Sequence, residues 1–143
     1  MMRTITVGLL LLLATEPGHV VAAQPGAART AVFVAYYWRA KPGQLDAYSQ
    51  YIKTTAEPID EDARRAGVFE EVHTVVPAPG ITADWTHLRM FRVKDLAAAE
   101  ALGAGLDAAT ARVVPNESTR KANSDRSAGL RDFVRREVWT ELR

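Results

Sequence analysis

The stretch Val32-Phe33-Val34-Ala35-Tyr36-Tyr37-Trp38-Arg39, running into Ala40-Lys41-Pro42-Gly43, decides the fold. It is dominated by β-branched and aromatic residues, which suit a pleated, half-buried surface, and Lys-Pro-Gly stops it. Directly after it, Leu45, Tyr48, Ile52, Thr55/Ala56, Ile59, Ala63 and Ala66 recur every three or four residues. That spacing places them on one face of a helix ending at Gly67. Pro58 sits inside this helix, where it removes a backbone donor and crowds the preceding turn, so a kink near Glu57 or two helices in succession are expected.

Outward from this unit the punctuation continues. Residues 68–76 read as a second strand, Pro77-Ala78-Pro79-Gly80 as a turn and residues 85–93 as a third strand. Asp95 is a good N-cap for an alanine-rich helix over 96–102, which Gly103 and Gly105 weaken. Residues 106–114 resume it before Pro115, Asn116 caps a further helix to about Ser127, and 133–142 form the last strand. The order βαββαβ, with extra helical material before the final strand, gives an α+β, ferredoxin-like domain: a four-stranded antiparallel sheet with its helices on one face.

The other face should then carry every second residue of each strand. In the third strand Leu88 and Met90 suit packing beneath helices, leaving Trp85, His87, Arg89 and Phe91 on the open side. In the last, Val134, Val138 and Leu142 read as core and leave Phe133, Arg135, Glu137 and Trp139. In the second, Val68, Val72 and Val76 leave Phe69, Glu71, His73 and Val75. In the first strand either alternate set can face inward. So many aromatic rings on an uncovered face call for a second copy of the chain, sheet against sheet about a two-fold axis.

Composition bounds the rest. The chain has 143 residues, 48% of them hydrophobic, and no cysteine, which excludes disulfides, thiolate nucleophiles and Cys-ligated metal. A net charge of +1 gives no surplus to neutralise a phosphate backbone, so no nucleic-acid partner is expected. Met1-Met2-Arg3, the apolar run over 7–14 and Val21-Ala22-Ala23 read as a secretory signal over residues 1–23. A linker over 24–31 and one domain over 32–143 follow. The apolar run is too short to span a bilayer, so the chain is expected in the periplasm or medium with no membrane anchor.

The segment Tyr36 to Gly43 (YYWRAKPG), the Glu57-Pro58-Ile59 helix segment and the terminal Val134 to Trp139 (VRREVW) resemble the dimeric α+β barrel superfamily of antibiotic-biosynthesis-type monooxygenases, EthD-like and NIPSNAP-like proteins. They are most similar to its exported bacterial members of unassigned function. The resemblance implies the ferredoxin-like fold and a homodimer. It also implies a range of activities that includes cofactor-independent oxygenases, haem-degrading enzymes, isomerases and proteins without known activity. The Asn, Trp and His constellation of the haem-degrading branch has no match in spacing among Trp85, His87 and Asn123.

Chemistry centres on His87, whose side chain exchanges protons near neutrality, with Arg89 to hold a carboxylate or enolate-like oxygen. Glu71, His73 and Glu137 on neighbouring strands, among Trp85, Phe91, Phe133 and Trp139, would complete a pocket for a small aromatic or lipophilic ligand. The alternative is a non-catalytic homodimer in which Arg89, Arg135, Glu71 and Glu137 are cross-strand ion pairs and the aromatics are interface packing. His73 and His87 lack any short-spaced ligand pair, so no metal is expected, and any reaction is expected to proceed without a cofactor.

Overall fold

The computed structural model describes residues 30–142, so the signal over 1–23 and most of the linker lie outside the described residues. Strand β1 (Val32–Ala40) leads to helix α1 (Leu45–Tyr51), a π-helical turn (Ile52–Ala56) and helix α2 (Glu57–Arg65). Strands β2 (Glu71–Val75) and β3 (His87–Val93), helices α3 (Leu96–Val113) and α4 (Glu117–Leu130) and strand β4 (Arg131–Thr140) complete the chain. All pairings are antiparallel and the sheet order is β2-β3-β1-β4. This is the expected α+β, ferredoxin-like sheet.

Two helices follow one another with their junction at Glu57, as expected, and Pro58 lies in the first turn of the second. The turn before it widens to π form, and the chain passes from α1 to α2 without leaving helical dihedrals. A π turn accommodates one extra residue, which absorbs the hydrogen bond that proline cannot make. Gly67, at φ 75°, takes the left-handed conformation that ends α2. Asp95 and Asn116 cap α3 and α4 by accepting from the Ala98 and Thr119 amides.

Gly103 and Gly105 do not interrupt α3. A Cβ on Gly105 would overlap a Val68 methyl, so here glycine permits a close approach.

The core settles the strand faces. Val32, Val34, Phe69, Phe91, Val93, Ala63, Ala99, Leu102 and Ala109 form one buried cluster between sheet and helices. Tyr48, Ile52, Ala40 and Leu130, with Trp38 against them, form a second. In β1 the set Val32, Val34, Tyr36, Trp38 therefore faces the helices. Register then carries His87, Arg89 and Phe91 with it, since they pair with Trp38, Tyr36 and Val34. This reverses the expected orientation of β3: Leu88 and Met90 lie on the open side.

Phe69 belongs to the core, and Leu142 is 96% exposed. In β4 a bulge between the partners of Tyr37 and Trp38 shifts the register, so Phe133 meets Trp38 on the helix side while Val134 joins the open face. A single inserted residue inverts the alternation at one end of a strand, and periodicity alone does not register it. Arg135, Glu137 and Trp139, beyond the bulge, are on the open face as expected.

Candidate functional site

His87 is 2% exposed, beneath α1. Its ring meets Tyr48 edge-on at 4.5 Å between centroids. Nε2 lies 3.0 Å from Ser49 Oγ and Nδ1 lies 2.9 Å from Thr86 Oγ1. Burial, and secondarily the charge of Arg131, hold its pKa below the ordinary value, so the ring is neutral at pH 7.

Two proton arrangements satisfy these contacts. In one, Ser49 Oγ donates to the Leu45 carbonyl at 2.9 Å and accepts from Nε2–H, while Thr86 donates to Nδ1. In the other, Nδ1–H donates to Thr86, Thr86 donates to the Trp38 carbonyl at 3.4 Å, and Ser49 donates to a bare Nε2. Thr86 accepts from the Ala40 amide in both. The site thus accommodates either neutral tautomer of the imidazole, with both hydroxyl protons reorienting while the oxygens stay in place; only in the second does Ser49 present its proton to Nε2.

Above this ring a cavity of about 280 Å³ opens between the first helical segment and β2, lined by Ser49, Ile52, Lys53, Glu57, Thr74, Val76 and His87. Ser49 and Val76 also border a wider recess of about 450 Å³ that runs beneath Leu45, Ile81 and Trp85. Together they make a cleft with an apolar mouth and a polar floor, the mixture that binds small organic molecules. Ser49, Lys53 and Glu57 follow one another at helical spacing, and the π turn between them keeps them in line along the cleft. This polar stripe beside the apolar one is the sequence signal for the cleft, and a reading that follows only the apolar residues of the helix passes over it.

Arg89 lies one step along the same strand face but is committed elsewhere. Its guanidinium pairs with Asp60, and the two side chains are 10% and 8% exposed. Asp60, one of four acidic residues in α2 with Glu57, Glu61 and Asp62, is a buried ion-pair partner. Burial raises its pKa against the opposing pull of Arg89.

The remaining predicted residues separate. Phe91 is core, and Phe133 sits on the helix side at the β4 edge. Glu71, His73, Trp85, Glu137 and Trp139 occupy the open face. There Glu71 approaches His73 and Arg92, and Glu137 accepts from Tyr37 and Arg135. The expected single pocket is thus split between two sides of one sheet.

Among solved structures the chain is similar to HapK from Hahella chejuensis, at 12% identity and TM-score 0.52 over 78% of this chain and 92% of that one. It is also similar to an uncharacterized NIPSNAP-like domain protein from Burkholderia xenovorans, at 14% identity and TM-score 0.51 over 82% and 87%.

This chain has their fold.

No family model matches it, and no curated protein does. The expected ferredoxin-like α+β architecture is shared with these two structures, and at these identities the likeness speaks for architecture alone.

Proposed function

We propose that this chain binds a small hydrophobic or aromatic molecule in the cleft between the first helical segment and the β2–β3 half of the sheet, and moves a proton on it without a cofactor. The observation that carries this reading is a buried neutral imidazole, His87, at the floor of a cavity whose rim supplies Lys53 and Glu57. His87 accepts the proton through Ser49. Lys53, the cation that borders the cavity, offsets negative charge developing on the substrate oxygen. The resulting enolate regains a proton at another atom, which is an isomerisation, or is captured by O2, which is an oxygenation.

The test compares intact protein with His87→Ala across phenolic and polyketide-like compounds, following product and O2 uptake. Loss of a positioned base lowers turnover about 10²–10⁴-fold. Equal turnover in both proteins removes the mechanism.

A second reading is favoured by one observation: both ring nitrogens already have hydroxyl partners. On that reading the chain is a non-catalytic ligand-binding or structural homodimer, and His87→Asn binds the same compounds with no turnover in either protein. The leader-like run over 7–14 supports export, and the apolar centre of the open sheet face supports a homodimer.

A further inference from the structure

A second, smaller cavity of about 210 Å³ lies beneath α3, and it does not include His87. Tyr36, Trp38 and Phe91 form aromatic walls, Arg89 and Arg131 stand in the same lining, and Asp107 is at the exposed rim. The two guanidiniums differ in their commitments. Arg89 is paired with Asp60, yet its Nε is buried with no hydrogen-bond partner. Arg131 donates to the Tyr48 hydroxyl at 2.7 Å and stacks on the Trp38 ring at 3.5 Å, and no carboxylate lies within ion-pair distance of it among the described residues.

An orphaned buried donor is costly, and a cation stacked on an indole with no counter-charge is a ready partner for an anion. Asp60 neutralises one of the two positive charges. Asp107 is the like charge to a bound anion, but it is exposed and screened.

We propose that this cavity binds an aromatic carboxylate, with the carboxylate on Arg131 and the Nε edge of Arg89 and the ring between Tyr36, Trp38 and Phe91. The volume is below the roughly 300–1,000 Å³ of sites for drug-sized ligands, which selects a single-ring molecule. The assignment is independent of any chemistry at His87, because it requires binding and no turnover.

The probe is benzoate, with benzamide as its uncharged counterpart, titrated into the full chain by calorimetry. Benzoate is expected to bind saturably, and benzamide at least about tenfold more weakly, as befits loss of a charge-assisted hydrogen bond. Arg131→Gln should weaken benzoate at least about tenfold in protein that still unfolds cooperatively above the titration temperature, its thermal midpoint lowered by loss of the Tyr48 hydrogen bond and the Trp38 stacking. Asp107→Asn removes the like charge and should leave benzoate binding equal or tighter. Opposite responses in these two variants separate a site from a general loss of folding. Equal binding of benzoate and benzamide, undiminished binding by Arg131→Gln, or weaker binding by Asp107→Asn each overturns the assignment.

Discussion

At the scale of one residue, His87 links the sheet to the helices through hydrogen bonds that suit a neutral ring. Tyr48 from α1 packs on it, Ser49 and Thr86 hold its nitrogens, Arg131 from β4 repels its proton, and Lys53 and Glu57 border its cavity. Because its pKa is depressed in the folded chain, the unfolded chain binds more protons between that value and the ordinary 6.5. Stability therefore falls as the pH drops through the ordinary value, and the loss is complete below the folded pKa. Urea unfolding at about pH 7.5 and about pH 5.5 should show this loss in the intact protein and a smaller one in His87→Gln. An identical pH dependence in both would mean that His87 titrates alike folded and unfolded. Arg131→Gln should raise the His87 pKa, read from its ring proton shifts, while burial still keeps it below 6.5. An unchanged value would mean that Arg131 exerts no field at the ring.

At the scale of elements, helix α3 shows two glycines with opposite roles. Gly103 has open space where a Cβ would go, whereas at Gly105 a Cβ would stand 2.9 Å from one Val68 methyl, closer still to the other, and 3.2 Å from the Val68 Cβ. Val68 is β-branched and cannot swing clear by one rotamer. Gly103→Ala should therefore stabilise by up to about 1 kcal/mol through helix propensity. Gly105→Ala should destabilise by about 1–3 kcal/mol through overpacking. Denaturant midpoints of the two variants check both, and a stabilising Gly105→Ala would show that the contact between α3 and the end of α2 is looser than described. From sequence both residues look alike, as helix weakeners, because what separates them is Val68, a neighbour remote along the chain that only the tertiary fold brings close. The same limit explains the faces. Caps, turns and the βαββαβ order are local and were legible in Asp95, Asn116 and Gly67. The orientation of β3 was not, because His87 and Arg89 are polar residues on the buried side. Their burial is made tolerable by partners remote along the chain on α1 and α2, Ser49 and Asp60, with Thr86 beside His87 on its other nitrogen. Ionisable residues facing the helices broke the rule that polar side chains point to solvent, and that breach marks the candidate site.

At the scale of the whole molecule, the sheet divides two tasks. Its helix side carries the polar cavities. Its open side carries an apolar centre of Ala35, Tyr37 and Leu88 with Trp85 and Val134 packed against it, and Trp139 edge-on to Tyr37. The charges around that centre are already neutralised within the chain: Arg135 pairs with Asp84 and Glu137, Tyr37 donates to Glu137, and Arg92 pairs with Glu70. Covering paired charges costs less desolvation than covering lone ones, so this face can meet a second copy of itself without new counter-ions. Trp139 is 42% exposed, so a substitution there acts on the interface more than on the core. Sedimentation at micromolar concentration should give a dimer for the intact chain. Trp139→Glu, which sets an unpaired charge beside Glu137 on the face, should shift it toward monomer with its secondary structure, read by circular dichroism, retained. A monomeric intact chain, or a variant that remains fully dimeric, would sink the interface, while the helix-side cavities, built within one chain, would stand unaffected.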